Sequence, residues 1–168
     1  PLIFVLLWSS AFITTLPIVL NSDPFSALAF RFFFVAVCFF IYSNIKNIKI
    51  KVNFRNIFNS FSTGILFHGF YLGGVFYAIF VGLPTSIVAL IVTLQPVLTN
   101  ILAGYFLNEE VNIYQWIGII LGFAGAVMVI GFDIGSMLPM KGLVAAVIAL
   151  IAITTSTIWQ KKISNDLP

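Results

Sequence analysis

The chain is organised as long apolar runs separated by short polar junctions. Six runs are long enough to cross a bilayer, since a transmembrane helix needs roughly 20 predominantly apolar residues. None shows the two-residue alternation over about ten residues that is typical of a membrane barrel strand. The predicted spans are Leu2–Leu20, Phe25–Ser43, Ile57–Phe80, Thr85–Leu107, Ile113–Gly131 and Gly142–Gln160. The pattern predicts an all-α integral membrane protein, a bundle of about six transmembrane helices.

Composition supports the same class and excludes others. Of the 168 residues, 61% are hydrophobic and 8% are charged, whereas a soluble domain carries about 25% charged residues. So few charges cannot cover a water-facing surface, so the lipid bilayer is the expected partner. The net charge of +3 comes from basic residues placed as orientation signals, and no nucleic-acid binding is predicted. Position 1 is Pro rather than Met, and both ends look cut, so we expect a fragment.

The basic residues predict the orientation of the bundle. Cytoplasmic loops of membrane proteins carry an excess of Lys and Arg. Seven basic residues lie outside the predicted spans. Six of them lie on one side of the membrane, and Lys141 alone lies on the other. Those six are Lys46, Lys49, Lys51, Arg55, Lys161 and Lys162. The amino end is therefore predicted to be cytoplasmic.

The basic linker after the second span also alternates strictly between apolar and polar residues from Ile48 to Arg55. In a soluble protein this pattern favours a half-buried strand. Beside a membrane a lone strand has no partner, so we interpret the segment as interfacial, with its cations near anionic headgroups. A dedicated lipid-binding role is the alternative, although the orientation signal already accounts for the charges.

Polar residues inside the predicted spans are the candidates for a solute site. Such residues are costly in lipid and face the bundle interior or a wet cavity. His68 and Tyr71 lie one turn apart on the third span, and Gln95 and Thr99 lie on the fourth. The alternative is that Gln95 only hydrogen-bonds to a neighbouring helix.

Pro96 follows Gln95 and predicts a kink in the fourth span. Proline removes a backbone donor and clashes with the carbonyl four residues earlier, that of Val92. Transporters use such opened backbone near the midplane to build solute sites.

Three further features each leave two interpretations open. Trp8 belongs either to an interfacial aromatic belt or to a cavity wall. Arg31, about two turns into the second span, either extends its side chain back to the surface or pairs with an anionic group. A glycine stripe on the fifth span, Gly118, Gly122 and Gly125, packs within the chain or forms a homodimer seam; we favour internal packing.

Catalytic chemistry is not predicted. Asp and Glu residues occur only in loops or at ends of the predicted spans, so a carboxylate proton relay and a Ser-His-Asp site both lack a buried acid. One His and no His-Glu-x-x-His sequence argue against a metalloprotease. Cys38 is the only cysteine and is interpreted as a small buried hydrophobe. No cofactor, metal or enzymatic activity is therefore expected.

The order of short motifs resembles the EamA-like members of the drug/metabolite transporter superfamily. No single motif is highly specific, but their order across five short-looped helices is. One departure is Asn108, where relatives usually carry Gly before Glu. The matching stretches are Leu7-Trp8-Ser9-Ser10-Ala11-Phe12, Ala29-Phe30-Arg31-Phe32, Gly82-Leu83-Pro84-Thr85-Ser86, Leu94-Gln95-Pro96-Val97-Leu98-Thr99, Leu107-Asn108-Glu109-Glu110, Gln115-Trp116-Ile117-Gly118 and Gly122-Phe123-Ala124-Gly125.

The resemblance implies a ten-helix transporter of two inverted five-helix repeats. Residues 1–131 would form the first repeat, 132–141 a connecting loop, and 142–168 the first helix of a truncated second repeat. The implied solute cavity is lined by helices one, three, four and six, where Trp8, His68, Tyr71, Gln95 and Thr99 are placed. The implied function is export of amino acids or other small metabolites across a bacterial inner membrane. A non-transporting membrane scaffold or interaction subunit is the alternative.

Overall fold

The computed structural model describes residues 2–47, 53–107, 112–130 and 138–165. Within these ranges the regular structure is helical, with no strand. The helices are α1 (Leu2–Asn21), α2 (Pro24–Ile45), α3 (Phe54–Phe80), α4a (Thr85–Val92), α4b (Gln95–Leu107), α5 (Ile113–Ile130) and α6 (Met140–Asn165). Each predicted span corresponds to a helix, or to the pair α4a and α4b, and the all-α prediction is confirmed.

Four of these helices are long and apolar enough to cross a membrane. They are Pro24–Ile45, Phe54–Phe80, Thr85–Leu102 and Met140–Ile163. Two shorter apolar helices, Val5–Asn21 and Ile113–Gly125, lie in α1 and α5. Large apolar side chains on the outer faces are exposed, especially the phenylalanines of α2. Such faces suit a lipid solvent, and the chain is a multi-pass membrane protein.

The turn between α1 and α2 follows from ordinary capping chemistry. Asp23 is the N-cap of α2, and its Oδ2 accepts a hydrogen bond from the Ser26 backbone N–H at 2.8 Å. Pro24 follows at the first helical position, where its missing N–H costs nothing. The hydrogen bonds from Ser26 lower the pKa of the Asp23 carboxyl. This turn is therefore stabilised by the ionised aspartate.

The third helix begins earlier than predicted, at Phe54 rather than Ile57. Asn53 caps it, because its Oδ1 accepts a hydrogen bond from the Arg55 backbone N–H at 3.3 Å. Arg55 thus lies in the first turn of α3 and not in the linker. The rest of the alternating segment, residues 48–52, lies outside the described residues.

The sixth helix also begins earlier, at Met140 rather than Gly142. The Pro139 carbonyl accepts hydrogen bonds from the backbone N–H groups of Gly142 and Leu143, at 2.9 and 3.1 Å. Lys141 therefore belongs to the first turn of α6, not to the connecting loop. Residues 132–137 of that loop lie outside the described residues.

The core lies where α6 packs against α3, α4a and α4b. Small residues allow this close approach. A Cβ added at Gly74 would lie 2.9 Å from the Ala145 carbonyl oxygen and 3.0 Å from the Ala149 Cβ. A Cβ added at Gly142 would lie 2.9 Å from the Leu83 Cβ. Backbone contact of this kind is how helices associate in lipid.

A buried hydrogen bond also joins α3 to α6. The Ser156 hydroxyl donates to the Thr63 carbonyl at 3.2 Å, and both side chains are buried. A hydroxyl in hydrocarbon needs such a partner, because no water replaces it there. The bond therefore fixes the register between the two helices.

The glycine stripe of α5 does not take part in this packing. A Cβ added at Gly118, Gly122 or Gly125 would meet no atom within 4 Å in the part of the chain that the structure describes. The internal packing predicted for this stripe is thus not seen there. The homodimer seam stays a prediction.

Candidate functional site

A cavity of about 250 Å³ lies among α1, α2 and α3 and contains three of the five predicted solute-site residues. Trp8, His68 and Tyr71 line it, although Trp8 and Tyr71 are distant in sequence. Most of the remaining wall is apolar and aromatic. Ligand pockets in proteins occupy about 300–1,000 Å³ and have mainly apolar walls with a few polar groups. This cavity is slightly smaller than that range.

Aromatic stacking builds one wall of the cavity. The rings of Trp8 and Tyr71 stack with their centroids 6.5 Å apart and their planes 7° from parallel. Phe67 meets Tyr71 edge-on, at a centroid distance of 5.3 Å and an angle of 71°. Tyr71 is 2% exposed and anchors the wall, while Trp8 is 37% exposed. Trp8 lines this cavity, and its part in solute binding stays a prediction.

Two basic side chains join the aromatic wall. His68 lies against Phe32, with ring centroids 4.5 Å apart, and against Phe67 at 5.1 Å. The Arg31 guanidinium carbon lies 6.0 Å from the centre of the Phe32 ring. Both basic side chains line the cavity. They give a largely apolar pocket two groups that can bind a carboxylate or another anion.

A π-helical segment, Ile65–Leu72, carries His68 and Tyr71. The two residues are three positions apart, a spacing that places side chains on one helix face, and both line the cavity. π-Turns inside α-helices are rare and occur frequently at functional sites. Sequence periodicity alone does not predict this segment.

Gln95 and Thr99 lie elsewhere, on the part of α4b near α6. They do not line the cavity among α1, α2 and α3. Gln95 Nε2 donates to the Thr157 hydroxyl oxygen at 3.2 Å, and that hydroxyl itself donates to the Ile153 carbonyl at 2.8 Å. This is the neighbouring-helix hydrogen bond that was the alternative interpretation of Gln95.

The Thr99 hydroxyl is buried and has no hydrogen-bond partner within the described residues. Such groups are rare and call for a water, an ion or a ligand. Thr99 lies one turn after Gln95 on α4b, so the two residues share a helix face.

The fourth helix is interrupted beside these two residues. It ends at Val92, turns through Thr93 and Leu94, and resumes at Gln95. Pro96 has no backbone N–H, so it cannot donate to the Val92 carbonyl. The break therefore opens the backbone next to Gln95 and Thr99.

Sequence reasoning missed the partners on α6. Thr157 binds Gln95, and Ser156 binds the Thr63 carbonyl. The signal was a run of four hydroxyl residues, residues 154–157, inside an otherwise apolar span. Intramembrane hydroxyls commonly hydrogen-bond across helices. Phe32 and Phe67 were also missed, because the chain has 19 phenylalanines and only the fold distinguishes these two.

Comparison with known proteins agrees with the fold. The model of the EamA-like transporter family matches residues 2–131. A Bacillus subtilis (strain 168) protein named "Uncharacterized transporter YvbV" is 30% identical over 97 residues, which are 58% of this chain and 30% of that protein. The match thus spans less than a third of that relative's length. No solved structure matches the chain.

Proposed function

Because the chain belongs to the EamA-like transporter family, we propose that it contributes the first five-helix repeat of a secondary transporter for small solutes. Residues 1–131 form that repeat, 132–141 connect it to the next, and 142–168 begin the second repeat. The cargo is an amino acid or another small metabolite, exported across a bacterial inner membrane by alternating access. A repeat with an odd number of spans inserts its second copy upside down, which is the basis of alternating access.

The cavity among α1, α2 and α3 is the observation that carries this proposal. It combines stacked aromatic rings with an imidazole and a guanidinium. The aromatic wall suits the apolar part of an amino acid or metabolite. The Arg31 guanidinium suits its carboxylate, and the His68 imidazole can donate a further hydrogen bond. A scaffold has no need of such a cavity.

The second group of residues, Gln95 and Thr99, serves the same solute path at the junction of the repeats. The hydrogen bond from Gln95 to Thr157 links the first repeat to the first helix of the second. The unpartnered Thr99 hydroxyl beside it supplies a polar contact to a passing solute. The opened backbone before Pro96 gives this region a hinge.

The proposed orientation has the amino end in the cytoplasm. Arg55, at the start of α3, and Lys162, near the end of α6, line one pocket and therefore lie at one end of the bundle. Lys141 lies at the opposite end of α6. The excess of basic residues marks the Arg55 end as cytoplasmic.

The test is flux through vesicles containing the full-length protein, screened against amino acids and metabolites. Saturable flux of one compound supports transport and names the cargo. Its direction in oriented vesicles, and its response to a proton gradient, report export and coupling. No flux from folded, correctly oriented protein would refute the proposal and favour a scaffold.

Paired variants then test the site. Trp8→Leu removes one stacked ring and is expected to raise the half-saturation concentration about two- to tenfold, the value of an aromatic pair. Its matched control is Phe39→Leu on the outer face of α2, where the side chain is 69% exposed. Gln95→Ala is compared in the same way with Gln160→Ala, an exposed glutamine of α6. Equal flux in each pair would remove these residues from the solute path.

A further inference from the structure

A second cavity, polar where the first is apolar, lies between the start of α3 and the end of α6. Its volume is about 350 Å³. Arg55 and Lys162 line it together with Trp159 and the carboxamides of Asn56 and Asn59. It is separate from the proposed solute site, with which it shares no lining residue.

The fold holds the two walls of this cavity together. The buried hydrogen bond from Ser156 to the Thr63 carbonyl joins α6 to α3. Trp159 follows Ser156 by about one turn on α6, and Asn59 precedes Thr63 by about one turn on α3. The cavity therefore sits one turn beyond a fixed contact and is not an accident of two loose helix ends.

The chemistry of the walls favours an anion. Arg55 supplies a planar guanidinium and Lys162 an ammonium, while Asn56 and Asn59 supply neutral amide donors. Guanidinium and ammonium groups together with amides are the donors that bind phosphate oxygens in proteins.

The first turns of α3 place this cavity at a membrane surface. Phe54, Phe58 and Phe61 recur at the spacing of one helix face and are all exposed, from 56% to 82%. Arg55, Asn56 and Asn59 lie on the polar side, which lines the cavity. An amphipathic helix of this kind lies at the boundary between headgroups and acyl chains. Trp159 is the residue type enriched at the same depth.

We propose that this cavity is a phosphate-binding site whose ligand is the headgroup of an anionic phospholipid. The phosphate lies between Arg55 and Lys162. Basic pockets between transmembrane helices bind anionic headgroups in this way. The site needs only the packing of α3 and α6, so it is independent of any transport activity.

The test is native mass spectrometry of the full-length protein in a neutral detergent, which removes the general surface potential of a bilayer. The protein is titrated separately with phosphatidylglycerol, phosphatidylcholine and inorganic phosphate. We expect preferential binding of phosphatidylglycerol. The double variant R55Q/K162Q is expected to weaken it about thirtyfold, and each single variant about fivefold.

The matched control is K46Q/K161Q. It removes the same charge at the same end of the bundle, from residues that do not line the cavity. The control is expected to bind within about twofold of the wild type, since neither residue lines the cavity and charges in water are screened by salt. Arg55→Lys, which retains the charge, is expected to bind more tightly than Arg55→Gln and shows that loss of binding is not loss of folding.

Three outcomes would overturn the proposal. Equal losses in the two double variants would show that the charges act only as a general basic field. Equal binding of the two phospholipids by the wild type would show that the site does not select anions. Binding of inorganic phosphate that R55Q/K162Q abolishes, without preferential binding of phosphatidylglycerol by the wild type, would assign the cavity to a soluble phosphate compound.

Discussion

Replacing Gly74 by Ala tests the close approach of α3 and α6, on which the whole core depends. The new Cβ would lie 2.9 Å from the Ala145 carbonyl oxygen and 3.0 Å from the Ala149 Cβ. Both atoms belong to backbone or to a side chain that cannot rotate away. The helices must therefore separate by a few tenths of an ångström.

The size of the effect follows from two opposing contributions. Overpacking of a tight core costs typically about 1–3 kcal/mol. Ala is favoured over Gly inside a helix by about 1 kcal/mol. Gly118→Ala on α5 has only the stabilising effect of the higher helix propensity of Ala, because its added Cβ meets no described atom within 4 Å. The difference between the two variants isolates the clash and is expected to be about 1–3 kcal/mol.

The assay is reversible unfolding of the full-length protein in mixed micelles with increasing dodecyl sulfate. Gly74→Ala is expected to unfold at a dodecyl sulfate fraction that is lower than, or nearly equal to, that of the wild type. Gly118→Ala is expected to unfold at a higher dodecyl sulfate fraction than the wild type. A difference of about 1–3 kcal/mol is about a 5- to 150-fold difference in the unfolding constant. Identical unfolding curves for the two variants would mean that α3 and α6 are not in backbone contact, and the core described above would be wrong.

Three other predictions concern hydrogen bonds and capping. Ser156→Ala removes the donor to α3 and is expected to lower the free energy of unfolding by about 1 kcal/mol in the same assay. The control is Thr155→Ala, which loses only a hydrogen bond within its own exposed turn. Equal effects of the two substitutions would contradict the cross-helix role of Ser156. Asp23→Ala is expected to lower the thermal midpoint more than Asp23→Asn, since Asn also caps helices. The Asp23 pKa is lowered from 3.8 in the folded chain, so its charge stabilises the fold above the unfolded pKa. This contribution disappears as pH falls through the folded value, and an advantage over Asn that did not shrink with falling pH would contradict the assignment. Pro96→Ala restores a donor to the Val92 carbonyl and is expected to raise thermal stability while slowing flux; unchanged flux would exclude the break as a hinge.

The helices themselves were predictable because local chemistry determines them. In lipid every backbone polar group must be satisfied within the segment, so a long apolar run has almost no alternative to a helix. The break before Gln95 is equally local, since a proline removes its own donor. The early start of α3 was missed although Asn53 was a visible capping residue, because the alternation of the linker competed with that signal.

The candidate site was predicted only in part. Polar residues in apolar spans are conspicuous, so His68, Tyr71, Gln95 and Thr99 were found from the sequence. Their division into two places was not predictable. It depends on the packing of α3 beside α1, which brings His68 and Tyr71 to the same cavity as Trp8, and on the position of α6, where Thr157 accepts the hydrogen bond from Gln95.

What the sequence by itself determined is the class of protein, the positions of the spans and the chemical types available inside them. These follow from local hydrophobicity and backbone chemistry, which involve residues close together in the chain. Only the tertiary structure decided which helices touch and which side chains meet. Three examples join residues far apart in sequence. They are the contact of Gly74 with Ala149, the stacking of Trp8 on Tyr71, and the shared cavity of Arg55 and Lys162. Such pairings depend on shape complementarity between whole helices, which no local pattern contains.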